Sequence, residues 1–223
     1  MKKRRLCASV LVLLGLGFGR AMPEPEPDGS SPEFEVRLVT EFPPAAMRHD
    51  LSAGEIQKLS GRKNAVGWTR LVVDAGNRLE ARVETTGSEE KRFWVLSAEV
   101  RVGYRSIEVF VASEHPEGSC WHSAILEHEN EHVRIDRALV EKYAARIETA
   151  VQNAELPTAK RPLWGVEEDE AMKKAQGSVD RAVAPLLAEL EKERRKASDT
   201  LDSTRAAKQL GKNCVERKER DRE

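Results

Sequence analysis

Two histidines four residues apart, with a glutamate directly after the first, are the residues of this sequence best suited to chemistry. They are His128, Glu129 and His132, in the stretch LEHENEHVRID. On a helix, residues four apart are neighbours on one face, so both imidazoles can reach one metal ion. Glu129 would lie about 100° round the helix from His128, beside such an ion. There its carboxylate could accept a proton from a water molecule.

The chemistry that this spacing predicts is metal-assisted hydrolysis. A Zn²⁺ ion lowers the pKa of water towards about 7 and polarises a carbonyl, while Glu129 would act as general base. Two alternatives stay open: a pair of solvated histidines on a charged helix, and a core pair hydrogen-bonded to carboxylates without metal. Both histidines fall on the apolar stripe between Ile125 and Ile135, which favours bound partners over solvent.

The element that carries the motif is a predicted amphipathic helix over residues 119–153, capped by Ser119 and ended before Pro157. A second amphipathic helix is predicted over residues 167–210, with a bend at Pro185. Because the connection between them is short, we expect the two to form a long antiparallel helical hairpin.

Residues 34–113 are predicted to be mainly β. A strand is expected at residues 34–40, and a short helix capped by Ser52 in the stretch that follows. From Trp68 onwards apolar and polar residues alternate, which predicts four strands in an antiparallel meander with turns at Gly76–Asn77, Gly87–Ser88 and Gly103. The predicted fold class is therefore α+β, a small antiparallel β-sheet followed by the helical hairpin.

The two ends of the chain differ from this body. Residues 1–21 have a basic start, an apolar run of about 13 residues and a small-x-small site, as in a secretory signal peptide. The run is shorter than the roughly 18 apolar residues of a transmembrane helix, so no stable membrane anchor is expected after cleavage. Residues 22–33 are predicted to be a disordered Pro-rich acidic linker, residues 34–210 a single domain, and residues 211–223 a charged tail.

Charge and cysteine content limit the environment and the partners. The 37 Lys and Arg nearly balance the 38 Asp and Glu, so no nucleic-acid partner is expected. Signal removal would leave Cys120 and Cys214, which in an oxidising compartment predict one disulfide, with two unpaired buried thiols as the alternative. We expect an exported protein, periplasmic or extracellular, of undetermined oligomeric state.

The third ligand of the predicted metal site must be a carboxylate, because every other histidine of the chain precedes the motif. If Cys120 bonds Cys214, antiparallel helices place His132 level with Asp202. If the connection sets the register instead, the motif faces residues 188–192. The disulfide is the more local constraint, so Asp202 is the predicted third ligand.

Asp136 lies one turn beyond His132. We predict that it accepts a hydrogen bond from that imidazole without binding the metal. The alternative is an ordinary salt bridge with Arg137 or Lys142.

The segment SCWHSAILEHENEHVRIDRALVEKY, after a strand-rich half, resembles a minimal zincin metallopeptidase, and residues 68–208 are similar to predicted secreted zinc-dependent proteases of bacteria. The resemblance implies zinc ligation by His128 and His132, general base catalysis by Glu129, and a peptide or protein substrate. The stretch LDSTRAA resembles part of a downstream motif that carries a histidine a few residues later, where this chain has alanines, so Asp202 would substitute.

The expected function is that of an exported zinc-dependent metallopeptidase, with the substrate adding as an extra strand along residues 106–113. The alternative is a catalytically inactive envelope protein that keeps the scaffold for structural metal or for partner binding.

Overall fold

The structure, a computed structural model, describes residues 34–203 and Cys214. The predicted signal peptide, the linker, the end of the second helix and the charged tail other than Cys214 lie outside the described residues. The described elements, in chain order, are β1 (Glu35–Val39), β2 (Ala46–Arg48), α1 (Ala53–Ser60), β3 (Gly67–Thr85), β4 (Lys91–Val111), α2 (Cys120–Gln152), β5 (Leu163–Trp164) and α3 (Glu168–Leu201).

The described strands form one five-stranded sheet in which β4 pairs with every other strand. β1 runs parallel to β4, with Glu35 opposite Ser97, and β2 also runs parallel to it, with Ala46 opposite Glu108. β5 is antiparallel to β4. The prediction of a small antiparallel sheet is therefore wrong, because the sheet contains two parallel pairs.

The physical reason is that alternation reports a strand but not the direction of its partner. β1 pairs with residues about 60 positions further along the chain, and no turn sequence marks such a distant pairing. Two of the predicted turns are also wrong, since Gly76 and Gly103 lie inside the long strands β3 and β4. Gly103 instead permits a close approach: a Cβ there would collide with the backbone of Glu41, whose carbonyl accepts from Tyr104 N at 2.9 Å.

The predicted long helical hairpin is wrong as well. The chain between α2 and α3 contains β5, which joins the sheet beside Arg92 and Phe93, so the connection is not the short link that was expected. Among residues 34–203 there are three helices with the five-stranded sheet, and no long helical hairpin. Periodicity located both long helices to within a residue or two at each described start, but it carried no information about the path between them.

The described residues divide into two compact units. The first takes residues 34–39, 76–101 and 146–185, and the second takes residues 40–75, 102–145 and 186–203 with Cys214. The second unit is built around buried apolar side chains of β4 and α2, among them Val102, Tyr104, Ile107, Val109, Ile125, Val140 and Tyr143. It also holds His128, Glu129 and His132 and the other residues of the candidate metal centre described below.

Helix α1 is the short helix that Ser52 was predicted to cap. The Ser52 hydroxyl accepts from Glu55 N at 3.3 Å, and the Glu55 carboxylate accepts from Ser52 N at 2.8 Å. This capping box satisfies backbone N–H groups that have no partner inside the helix. Gly61 ends the helix with a left-handed φ of 72°, and Ile56 anchors it in the core against Phe110 and Ala112.

The predicted disulfide is confirmed. Cys120, the first residue of α2, is bonded to Cys214, with Cα atoms 5.6 Å apart. None of the described helices is long and apolar enough to cross a membrane.

Candidate metal centre

His128, His132 and Asp202 come together in the second unit and form a group that could hold a metal ion. His128 Nε2 and His132 Nε2 lie 3.0 and 2.9 Å from the same oxygen, Asp202 Oδ1. The candidate ligand atoms all lie within 4.8 Å of one another. Two imidazole nitrogens and one carboxylate oxygen are a donor set that Zn²⁺ and other divalent transition metals accept.

Two helices position these three side chains. Residues 128 and 132 are one turn apart on α2, and their rings meet edge to face with centroids 5.0 Å apart. Asp202 follows the last residue of α3, and its N–H still donates to Ser198 O at 2.9 Å, so the helical turn holds it. Asp202, which the register based on the disulfide was predicted to bring level with His132, is thus in contact with that histidine.

Ser198 supports the ring of His132 from the side away from Asp202. Its hydroxyl lies 3.4 Å from His132 Nδ1. A hydroxyl that accepts from Nδ1–H leaves Nε2 unprotonated, which is the tautomer that a metal requires.

Both imidazoles are electrostatically suited to stay neutral. Burial lowers the pKa of His132 from 6.5 to about 4, with further lowering by His128 and Arg62. Burial and the charge of Arg62 also lower the pKa of His128. Because only the neutral imidazole binds a metal, the lowered pKa values favour the metal-binding form of both rings.

Glu129 is a buried carboxylate at the wall of the same cleft, with 6 % of its surface exposed. Its Oε2 accepts a hydrogen bond from Thr69 Oγ1 of β3 at 2.8 Å. Burial raises its pKa from 4.5 to about 7, although the bond from Thr69 acts in the opposite direction. A carboxyl that titrates near neutral pH can both accept and return a proton.

Gly67, the first residue of β3, makes room for this carboxylate. A Cβ at that position would lie 2.6 Å from Glu129 Oε1 and 2.5 Å from Ile125 Cγ2. The strand therefore packs against α2 at a distance that only glycine permits.

Arg62, in the connection between α1 and β3, brings a positive charge to the group. Its guanidinium forms an ion pair with Asp202, and its Nη2 donates to Ser198 Oγ at 3.2 Å. Its charge lowers the pKa of both histidines and of Glu129.

Asp136 does not occupy the predicted place. The structure puts its Oδ1 2.5 Å from Arg194 Nε, in an ion pair that is mostly shielded from solvent. The expectation that Asp136 holds His132 is corrected accordingly, and Ser198 is the side chain beside that ring. Asp136 forms a salt bridge, which was the alternative, but its partner is Arg194 on α3 and not Arg137 or Lys142.

These residues line one open cleft of about 720 Å³ in the second unit. Seven consecutive residues of β3 and the segment before it, 65–71, form one wall. The cleft is large enough for a short peptide beside the three candidate ligands.

The sequence reasoning missed Arg62, Gly67, Thr69 and Ser198. A glycine at the start of an apolar strand is a weak signal of a close approach, and it was available for Gly67. The other three are polar residues on different elements, and no local pattern links them to the motif.

Comparisons of the chain with protein families, with curated proteins and with solved structures find no match.

Proposed function

We propose that this protein is an exported zinc-dependent peptidase whose metal is held by His128, His132 and Asp202. The observation that carries the proposal is the juxtaposition of this group with Glu129, a buried carboxyl whose pKa is raised to about 7, in one open cleft. A buried base beside a metal-binding group has no evident structural use, because burying a carboxylate costs stability.

A bound Zn²⁺ ion would lower the pKa of a water molecule and polarise the carbonyl of the scissile bond. Glu129 would take a proton from that water molecule as the water oxygen bonds to the carbonyl carbon. The same carboxyl would then pass the proton to the leaving nitrogen as the C–N bond breaks. Thr69 keeps the carboxylate oriented through its 2.8 Å hydrogen bond.

The substrate is proposed to lie along β3. The strand predicted for this role, residues 106–113, lies largely in β4, whose residues 108–110 pair with β2, while Ala112 N donates to Val66 O. That stretch is therefore not a free edge. Residues 65–71 instead form a continuous wall of the cleft, and an extended peptide there would pass Thr69 and Glu129.

Export is proposed from two features. The Cys120–Cys214 disulfide suits an oxidising compartment such as a periplasm or the extracellular medium. The basic and apolar residues 1–21 have the layout of a secretory signal.

One observation favours the second candidate, an inactive envelope protein that keeps the scaffold. The ion pair between Arg62 and Asp202 compensates the charge of the third ligand without any metal. In that case the cluster would be a satisfied core network, or the site of a structural ion, and Glu129 would have no reaction to serve.

The experiment that separates the candidates compares the mature native protein with Glu129→Gln. We expect about one zinc per chain in both by elemental analysis, and cleavage of casein and of short peptides by the native protein only. Glu127→Gln, an exposed position on the same helix, is the matched control and should cleave like the native protein.

Three further variants test the ligand set. His128→Ala, His132→Ala and Asp202→Ala should each lose stoichiometric zinc while circular dichroism shows an unchanged fold. A folded native protein that takes up no zinc would overturn the proposal. A native protein that takes up zinc but cleaves no peptide would support the inactive scaffold instead.

A further inference from the structure

Arg62 lies in the connection between α1 and β3 and lines the cleft. Gly61 turns the chain at the end of α1, and Arg62 N then donates to Ser60 Oγ at 3.2 Å. The side chain is 49 % exposed and reaches across the cleft to Ser198 and Asp202. The backbone of Arg62 is thus held by a hydrogen bond, while its side chain is accessible from solvent.

The other arginines that line the cleft are paired with carboxylates outside the candidate metal group. These pairs are Arg70 with Glu108 at 2.6 Å, Arg194 with Asp136 at 2.5 Å and Arg195 with Glu191 at 3.0 Å. Arg62 differs, because the carboxylate that balances it is Asp202, a member of the group.

A metal ion would change the balance of charge around Arg62. The negative charge of Asp202 would then be shared with a dication, which leaves the guanidinium next to excess positive charge. Asp199 is another acidic residue at the cleft, and it makes no ion pair with Arg62 in the part of the chain that the structure describes. In the metal-loaded cleft, the Arg62 guanidinium would therefore be able to bind an additional anion.

The position of Arg62 indicates what kind of anion fits. Its guanidinium contacts Asp202 and Ser198, so it lies beside the candidate metal group. A peptide whose scissile bond lies at that group would have only a short stretch of chain between the bond and an anion bound by Arg62. A planar guanidinium binds a carboxylate through paired, charge-assisted hydrogen bonds, whereas it repels a terminal ammonium.

We propose that Arg62 binds the free C-terminal carboxylate of a peptide substrate, so that the cleft acts on bonds near the C-terminal end of short peptides. The inference rests on the proposed function and narrows its substrate class. It assigns Arg62 a role in selecting substrates, and Ser198 helps to orient the guanidinium through the 3.2 Å hydrogen bond.

A binding experiment tests the proposal without turnover. Zinc-loaded Glu129→Gln protein is titrated calorimetrically with an N-acetylated tripeptide that has a free C-terminal carboxylate, and with the same peptide amidated at its C terminus. We expect the free acid to bind at least about tenfold more tightly, as for a lost hydrogen bond to a charged group. Equal affinities, or binding of neither peptide, would overturn the proposal.

Variants in the same background identify the residue responsible. Adding Arg62→Gln should abolish the preference for the free acid, and Arg62→Lys should retain part of it. Arg195→Gln is the matched control, since this arginine lines the same cleft but is paired with Glu191, and it should keep the full preference. A preference that survives Arg62→Gln would assign the carboxylate to another cation and refute the inference.

Kinetics on the otherwise native protein give a second readout. Arg62→Gln should lower kcat/KM for the free-acid peptide about tenfold or more, mainly through KM, and leave the amidated peptide unchanged. An equal fall on both peptides would place the charge at the reacting carbonyl and overturn the proposal. A protein that binds the free acid selectively but cleaves nothing would refute the proposed function and keep this assignment.

Discussion

Glu129 is a carboxyl group that is largely buried at the wall of the cleft. Burial raises its pKa from 4.5 to about 7, and Thr69 supplies its hydrogen bond. Two histidines one turn apart lie in the same cleft, with burial lowering the pKa of each. The acid and the bases are therefore shifted in opposite directions by one physical cause, which favours the neutral form of all three.

The raised pKa of Glu129 predicts a pH-dependent stability difference between native protein and Glu129→Gln without metal. Because its pKa is raised, Glu129 makes a contribution to stability that is fully present below pH 4.5. This contribution is lost as the pH rises through about 7. Glutamine stays neutral, so above pH 7 the variant should be more stable than native protein by up to about 3 kcal/mol. Urea denaturation in EDTA, from pH 4.5 to 8.5, measures the difference.

The histidines do not disturb this comparison. Their lowered pKa values stabilise the fold above pH 6.5, and the contribution of His132 is lost as pH falls through about 4, in both proteins alike. Glu127→Gln keeps Glu129 and serves as the control, so its stability should follow that of the native protein across this pH range. A Glu129→Gln protein that is less stable than native at pH 8.5 would contradict the burial argument.

Gly67 provides a second prediction at the scale of one residue. The methyl group of Gly67→Ala would meet Ile125 and the Glu129 carboxylate at 2.5 and 2.6 Å. We expect the displaced carboxylate to lower peptide hydrolysis about 100-fold, with the zinc content unchanged. Gly76→Ala on the same strand is the control, since its methyl group meets nothing within 4 Å. Native-like activity of Gly67→Ala would show that the carboxylate does not need this position.

At the scale of elements, three helices supply the site by different means. α2 provides His128, Glu129 and His132 from one turn, so their mutual spacing follows from helix geometry. α3 provides Asp202 just after its last residue, and the turn after α1 provides Arg62. Two of the three contributions therefore depend on where a helix ends.

The cap of α1 predicts an effect on stability. Ser52→Ala removes the acceptor for Glu55 N and should lower the free energy of unfolding by about 1 kcal/mol. Leu59→Ala, an exposed change on the same helix, should be close to neutral. Chemical denaturation of both variants measures the contrast, and equal destabilisation would argue against the cap.

At the scale of the whole molecule, the Cys120–Cys214 disulfide links the start of the helix that carries the motif to the chain beyond Asp202. Its two cysteines are 94 residues apart. The link restricts how far Asp202, the candidate third ligand, can move from α2. Both the free energy of unfolding and the affinity for metal should therefore depend on it.

Replacement of both cysteines by serine should lower the free energy of unfolding by roughly 4 to 5 kcal/mol in the chain-entropy model. It should also weaken zinc binding, because Asp202 is no longer held near the histidines. Competition with a chelator measures the affinity, and Asp202→Ala in the oxidised protein marks the effect of full ligand loss. Unchanged zinc affinity in the double variant would show that α3 alone positions Asp202.

The sequence was informative where structure depends on neighbours along the chain. The period of α2, the N-cap at Ser52 and the start of β1 follow from local patterns, and the structure has all of them. The turn signals at Gly76 and Gly103 misled, because a glycine inside a strand can serve a close approach as well as a turn.

From the sequence alone we predicted that His128, Glu129 and His132 share a helix and that Cys120 pairs with Cys214, and the structure confirms both. Only the tertiary structure decided the parallel pairing of β1 and β2 with β4, and the partners of Asp136 and Arg62. The reason is physical. Backbone periodicity is a local property of the chain, whereas ion pairs and strand direction depend on which distant segments pack together.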